Sequence, residues 1–238
     1  KNLNLFSGTG NEALKNAAIW VAGSKIKFAG SFEALPEMPQ GTVEKDLAGK
    51  FVMAGMTETH AHLSFADASP FAIGETLVEE ATLTAVRNAR LMLGSGFTSA
   101  VSFGSTYKID VALRDAISQG SVIGPRLLAA GRDLGATASN VDSGGGLSQI
   151  ADGPWALRKA VREQRKIGVD VVKIFIDGEA INKQNPPGEL SFTDVEVSAA
   201  VAEAHRRGMR VACHARSAAA VKQAVRAEVD FIGQANYL

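Results

Sequence analysis

The sequence predicts an α/β protein in which a small N-terminal β domain, residues 1–50, precedes an incomplete TIM-type β/α barrel, residues 51–238. Three observations predict this arrangement. The first fifty residues carry strand-like patterns separated by turn residues. From residue 51, apolar strand-like runs alternate with segments of helical periodicity. Polar residues and histidines gather where the predicted strands end.

The N-terminal region is predicted to contain a β-hairpin. The run NLNLF at residues 2–6 alternates polar and apolar residues. The run AAIWVAGSKIKFAG at 17–30 has two alternating halves joined by Gly23 and Ser24, a two-residue loop suited to a primed turn. The segment TVEKDLAGKFVMAG closes this region and leads into the barrel.

The barrel region is predicted to repeat a strand–helix unit. Apolar residues at four-residue spacing precede Gly120 and Gly168, which are typical helix terminators. Thr193 is expected to cap a helix that stops at Gly208, and Ser217 to cap the next one. The expected strands are 51–62, 97–103, 126–131, 170–176, 209–214 and 229–233.

Repeated strand–helix units predict parallel strands, which fit either a barrel or a doubly wound sheet. No glycine-rich phosphate-binding loop follows an early strand, and FGSTY at 103–107 is a poor match to one. Polar residues at strand ends favour the barrel, whose active sites lie at the carboxyl ends of its strands. Six barrel strands are predicted where a closed barrel has about eight, so we expect a fragment or a partial barrel.

Composition excludes several classes of function. The 238 residues include 25 Lys and Arg and 25 Asp and Glu, so no net charge favours nucleic acid or an anionic membrane. No apolar run of about 18 residues is present, so we expect no membrane partner. The single cysteine, Cys213, excludes an internal disulfide framework. Cytoplasmic residence is the default expectation, and secretion after removal of a signal peptide stays open.

Two of the four histidines, His60 and His62, lie at the end of the first predicted barrel strand. Residues i and i+2 of a strand point to the same face, so the two imidazoles project side by side. Such a pair provides half of a divalent metal site. The alternative is a pair of structural histidines held by hydrogen bonds.

Lys173 lies within the apolar run VDVVKIFID. Burial of an ammonium group is costly unless the group is neutralised or paired. One interpretation is a nucleophilic lysine that adds carbon dioxide to form a carbamate, which can bridge two cations. The other is a lysine whose stem is buried and whose amine reaches water or pairs with Asp177.

His214 ends the strand MRVACHA, and alternation predicts that it faces inward while Cys213 packs against helices. Arg216 follows two residues later, where it either pairs with a substrate carboxylate or is solvated at a helix start. His205 is predicted to be structural, at a helix C-terminus. The connections 132–153 and 177–192 are predicted to lie over the barrel mouth.

Five segments together resemble successive blocks of the metal-dependent amidohydrolase superfamily, in the same order. The branch that they resemble contains imidazolonepropionase-like enzymes and Xaa-Pro dipeptidases. The opening KNLNLFSGTG also resembles the small β domain that precedes the barrel in this family. The segments are FVMAGMTETHAHL, GPRLLAAGRDL, VREQRKIGVDVVKIF, VEVSAAVAEAHRRGMRVACHA and AVKQAVRAEVDFIG.

The resemblance implies a site and a reaction. His60, His62 and His214 would be ligands of one or two divalent cations, usually zinc, and Lys173 would be carbamylated and bridge two of them. The implied function is hydrolysis of amide or peptide-type C–N bonds through a metal-activated water. Dipeptides or N-acyl amino acids are the expected substrates. A homo-oligomer is the expected state.

Two departures from the family pattern motivate an alternative. Gln234 stands where the family carries a further histidine, so it would be at most a weak ligand. The aspartate of the family's eighth strand, which handles the proton of the attacking water, has no counterpart in this sequence. The alternative is a catalytically impaired relative that acts as a binding or scaffold protein.

Overall fold

A computed structural model of the chain describes residues 1–10, 12–66, 70–142, 146–179 and 185–237. The chain forms two compact units, Lys1–Gly55 and Met56–Leu238. The domain assignment 1–50 and 51–238 stays a prediction. Among the helices that the structure describes, none has both the length and the apolar character needed to cross a bilayer.

The N-terminal unit is a four-stranded sheet. The predicted hairpin is present: β2 and β3 pair in antiparallel fashion and Gly23–Ser24 connects them. The strands are β1 (Leu3–Phe6), β2 (Leu14–Ala22), β3 (Lys25–Ser31) and β4 (Phe51–Met53), in the order β3-β2-β1-β4. Because β4 pairs in parallel with β1, this sheet extends past residue 50.

The second unit contains parallel strands and helices, as predicted. One sheet has the order β5-β6-β7 and the other the order β12-β11-β10-β8-β9. The strands are β5 (Met56–Ala61), β6 (Phe97–Ser102), β7 (Arg126–Leu128), β8 (Asp133–Gly135), β9 (Ser148–Ile150), β10 (Val171–Phe175), β11 (Arg210–Ser217) and β12 (Phe231–Tyr237). Together they form part of a TIM-type barrel, so the predicted fold class is confirmed.

One predicted strand is divided in the structure and another is shortened. The run 51–62 is two strands separated by a break at Ala54 and Gly55. The residues before the break pair with β1, and the residues after it pair with β6. The run 126–131 is a strand only to Leu128, because the chain leaves the regular ladder at Gly131, which has a positive φ of 70°. The chain then continues into β8, which pairs with β10.

The helices begin and end close to the residues that the sequence indicates. Thr193 and Glu196 form a reciprocal capping box at the start of α5, and the Ser217 side chain caps α6. α5 ends at His205, slightly before the predicted Gly208. The helices are α1 (Pro70–Glu75), α2 (Val78–Gly94), α3 (Ile109–Ser118), α4 (Pro154–Ile167), α5 (Asp194–His205) and α6 (Ala218–Arg226).

Strand alternation divides β10 and β11 between two apolar regions. Val172, Ile174 and Cys213 belong to the large core that also contains residues of α4, α5 and α6. Val171 and Ala212 instead pack with Val101 of β6 and with Phe103, which follows β6, in a small separate cluster, the barrel interior. Lys173 and His214 are two residues further along these strands, so they lie on the interior face toward its carboxyl end.

Candidate metal and substrate site

His60 and His62 lie side by side at the end of β5. Their ring centroids are 5.3 Å apart. His60 stacks on Phe103 at 4.1 Å, and His62 stacks on Phe65 at 4.5 Å. His62 Nδ1 is 3.1 Å from the carbonyl oxygen of Gly104, which fixes the orientation of the ring.

Both imidazoles are held in the neutral form. Burial, together with the charge of Lys173, lowers the pKa of His60 to about 4. Burial and the same lysine charge lower the pKa of His62 to about 3. Neutral imidazole is the form that binds a metal ion, so both rings are prepared for that role at pH 7.

Lys173 is the largest fully buried side chain of the described residues, with 1 % of its surface exposed. Its Nζ donates a hydrogen bond to the carbonyl oxygen of Phe103 at 3.1 Å and lies 4.0 Å from Asp133 Oδ2. The rings of Phe103 and Phe175 are each 5.3 Å from Nζ. The ion-pair partner is therefore Asp133 and not Asp177, the partner considered from the sequence.

Asp133 is buried beside this lysine. Burial raises the pKa of its carboxyl to about 6; the Lys173 charge opposes the increase and the Asp110 charge adds to it. Asp133 Oδ1 has no hydrogen-bond partner among the described residues. A Cβ on Gly104 would lie 2.2 Å from this oxygen, so only glycine permits the close approach.

His214 lies on the other side of the lysine. Its ring stacks on Phe175 at 3.8 Å. Lys173 and His214 therefore lie against the same ring, Phe175, just as Lys173 and His60 lie against Phe103. Burial, followed by the charge of Lys173, lowers the pKa of His214 to about 2. Its Nε2 atom is buried and has no hydrogen-bond partner within the described part of the chain.

Gln234 lies on β12 next to His60. The two Nε2 atoms are 3.5 Å apart, and Gln234 Oε1 is buried without a hydrogen-bond partner in the described ranges. Gln234 and Ala235 have positive φ values of 66° and 46°, which are strained for residues other than glycine. Gly233 packs so closely that a Cβ there would lie 3.0 Å from His60 Cε1.

Arg216 is paired with Glu179, a residue that the sequence analysis did not select. Arg216 Nε donates to Glu179 Oε1 at 2.7 Å, and a second guanidinium nitrogen lies 2.6 Å from the same oxygen. Glu179 Oε1 is also 3.5 Å from His214 Nε2. The guanidinium is thus held by a carboxylate at the edge of the site and is not freely solvated.

The remaining predicted positions have clear locations. His205, at the end of α5, lies with its Nε2 2.8 Å from Asp230 Oδ2. The connections 132–153 and 177–192 contact each other, because the backbone N–H of Asn140 donates to Asn185 Oδ1 and the Asn140 side chain to the Asn185 carbonyl. The first connection contains β8 and β9. Residues 143–145 and 180–184 of the two connections lie outside the described residues.

The donor set has the chemistry of a zinc site. It contains three neutral imidazoles, and the buried Nε2 atom of His214 has no hydrogen-bond partner in the described part of the chain. Within the described residues, however, no three His, Cys, Asp or Glu side chains are close enough to hold an ion by themselves. Lys173 lies between the His60–His62 pair and His214, and an ammonium group cannot donate an electron pair. As an ammonium ion, Lys173 is therefore not a metal ligand.

Sequence reasoning missed Asp133 and Glu179 although a signal was present. Both carboxylates follow strand-forming runs, Asp133 in GRDL and Glu179 in IDGE. The rule that selected the histidines, polar residues at strand ends, applies equally to these carboxylates.

The fold is that of a β/α-barrel protein. The sequence profile of the amidohydrolase family matches residues 51–238, and the chain belongs to this family.

Individual relatives have similar sequences or folds. Ochratoxinase of Aspergillus niger is 26% identical over 261 residues, covering 98% of this chain and 53% of the relative. The crystal structure of an amidohydrolase superimposes with a TM-score of 0.88 and 28% identity, covering 97% of this chain and 59% of that one. The structure of a Xaa-Pro dipeptidase with bound methionine in its active site superimposes with a TM-score of 0.79 and 26% identity, covering 96% of this chain and 59% of that one. The chain thus spans between half and three fifths of these proteins' lengths.

Proposed function

We propose that the protein is a metal-dependent hydrolase of amide or peptide-type C–N bonds, with dipeptides or N-acyl amino acids as substrates. The observation that carries this proposal is the group of three neutral imidazoles, one buried and two partly buried, around a buried lysine at the strand ends of an amidohydrolase barrel. Similarity to a Xaa-Pro dipeptidase and to ochratoxinase supports an amide or peptide substrate.

The proposed ligands are His60, His62, Lys173 and His214, with Gln234 as a weak additional ligand. Zinc is the proposed metal, and Lys173 would donate through a carbamate. When bound, the metal would polarise the scissile carbonyl and lower the pKa of a water so that it attacks at neutral pH.

The side chains of the chain have separate tasks in this proposal. The Gly104 carbonyl orients His62, and the stacked Phe103 and Phe175 rings exclude water from the faces of His60 and His214. Asp133 balances the charge of Lys173 while that residue is an ammonium ion. The carboxylate that would take a proton from the attacking water is not identified among the described residues.

Metal content and turnover test this proposal. The longest natural form of the protein, supplied with zinc and bicarbonate, should hold at least one equivalent of zinc and hydrolyse members of a dipeptide and N-acyl amino acid panel. Labelled bicarbonate should give a carbamate carbon signal by NMR. Lys173→Ala should abolish the signal and the turnover, whereas Lys222→Ala, an exposed lysine on α6, should change neither. Less than about a tenth of an equivalent of zinc would contradict a tight site.

A second candidate function is a binding or scaffold protein without turnover. Gln234 favours it, because an amide oxygen is a poorer zinc ligand than an imidazole. Robust hydrolysis that a chelator abolishes would end this alternative. Homo-oligomer formation and cytoplasmic location stay predictions; sedimentation velocity and cell fractionation test them.

A further inference from the structure

The ion pair between Arg216 and Glu179 lies directly against the candidate site. The side chains keep 21 % and 17 % of their surface exposed, so the pair is largely shielded but open on one side. Glu179 Oε1 is 3.5 Å from His214 Nε2.

The fold holds both members of this pair in position. Asp177, which is fully buried, accepts hydrogen bonds from the backbone N–H groups of Arg216 and Ser217 at 2.9 and 2.8 Å. Gly178 lies between the two carboxylates, and a Cβ there would be 2.1 Å from the Asn185 carbonyl oxygen. The segment Asp177–Glu179 therefore binds residue 216 by both backbone and side chain, unlike a mobile surface ion pair.

A substrate carboxylate that takes the paired Nε and terminal N–H donors of Arg216 must replace Glu179. A guanidinium holds a carboxylate best through paired N–H donors, and Glu179 already accepts from Nε and a terminal nitrogen. Replacement leaves the Glu179 carboxylate partly buried without a cation, which is unfavourable unless the substrate supplies one. A substrate with both a carboxylate and an ammonium group would convert one internal ion pair into two.

On the basis of the proposed function, we propose that the substrate is a zwitterion with a free carboxylate and a free amino group. Arg216 binds the carboxylate and Glu179 binds the ammonium. A dipeptide with free termini meets this requirement, whereas an N-acyl amino acid lacks the ammonium and leaves Glu179 unpaired. Glu179 is thus a specificity residue that separates the two substrate classes left open above.

Matched substrates test this assignment. Each dipeptide that the protein hydrolyses is compared with its desamino analogue, as L-alanyl-L-leucine is with N-propionyl-L-leucine; the two differ only in the ammonium group. We expect kcat/KM to be about 10- to 100-fold higher for the dipeptide, because a buried charge is left unpaired by the analogue. Calorimetry on chelator-treated protein should likewise show that the dipeptide binds more tightly than its desamino analogue.

Variants locate the effect at Glu179. Glu179→Gln should lower kcat/KM for the dipeptide and raise it for the desamino analogue, because Arg216 is then released. Glu189→Gln removes an exposed carboxylate from the same connection and should leave the preference intact. Equal kcat/KM values for the two substrates, or a preference that survives in Glu179→Gln, would overturn the assignment.

The two proposals fail in different ways. If the metal-loaded protein hydrolyses both substrates equally well, the zwitterion inference fails and the hydrolase proposal stands. If neither is hydrolysed but the chelator-treated protein binds the dipeptide more tightly, the hydrolase proposal fails and the assignment of Arg216 and Glu179 stands.

Discussion

The Nζ atom of Lys173 lies 4.0 Å from Oδ2 of Asp133, and both side chains are buried. This pair places a cation and an anion among three neutral imidazoles. Register explains the contact: β8 pairs with β10 through Leu134 and Ile174, which brings the residues just before them together.

Removal of the lysine charge should destabilise the protein through Asp133. In chelator-treated Lys173→Met at pH 8, we expect a loss of about 3 kcal/mol in the free energy of unfolding, because a buried carboxylate remains without its cation. Urea denaturation measures it. Lys173→Met/Asp133→Asn should recover most of the loss. A double variant no more stable than the single one would show that the two residues are not coupled.

Stability of the metal-free protein should decrease in acid. His62 and His214 have pKa values lowered from 6.5 to about 3 and about 2 in the folded state, so the unfolded chain binds their protons first. Each of these two histidines lowers the free energy of unfolding by about 1.4 kcal/mol for every pH unit below 6.5. The half-buried His60 adds a smaller loss in the same direction.

Asp133 acts in the opposite direction, because its folded pKa is raised to about 6. Below pH 6 its carboxyl gains a proton in the folded state before it does in the unfolded chain. The resulting increase in the free energy of unfolding offsets the loss due to about one histidine. Denaturation between pH 7.5 and 4 should therefore show a net decrease, and His62→Gln should reduce the slope by about 1.4 kcal/mol per pH unit. Stability independent of pH in this window would contradict neutral histidines in the folded protein.

A methyl group at residue 233 should disturb His60. The Cβ of Gly233→Ala would lie 2.9 Å from Phe103 Cε1 and 3.0 Å from both His60 Cε1 and the Cys213 carbonyl oxygen. We expect a loss of about 1–3 kcal/mol from overpacking and weaker zinc binding. Gly94→Ala, whose Cβ would have no neighbour within 4 Å, is the matched control. Equal zinc affinity in the two variants would mean that His60 is not a ligand.

An imidazole at residue 234 should strengthen the site. Gln234 Nε2 lies 3.5 Å from His60 Nε2, so Gln234→His adds a nitrogen donor close to a proposed ligand. We expect higher zinc occupancy at limiting zinc, measured by elemental analysis after dialysis. Gln149→His, outside the site, should bind as the unchanged protein does. Unchanged occupancy in Gln234→His would show that this position is not a ligand position.

Much of the architecture follows from local patterns. Alternation along β11 correctly separates Cys213, packed against helices, from His214 on the interior face, whereas the sequence left the direction of Lys173 open. The caps at Thr193 and Ser217 also follow directly from the sequence. These features depend on residues a few positions apart, which is why periodicity and capping rules predict them.

The features that local patterns miss depend on distant partners. β4 separates from β5 because it pairs with β1, about 47 residues away along the chain. Asp133 becomes the partner of Lys173 only because β8 joins the sheet beside β10. Glu179 reaches Arg216 from the connection that follows β10. None of these contacts has a sequence signature of its own, since each is set by strand order or by a connection's path.

The most direct test is anomalous diffraction at the zinc absorption edge, on crystals grown with zinc and bicarbonate. The proposal predicts one or two peaks within about 2.0–2.1 Å of nitrogen atoms of His60, His62 and His214, with extra density on Lys173 Nζ. No peak at this position, with an unmodified lysine still beside Asp133, would contradict the metal-hydrolase account.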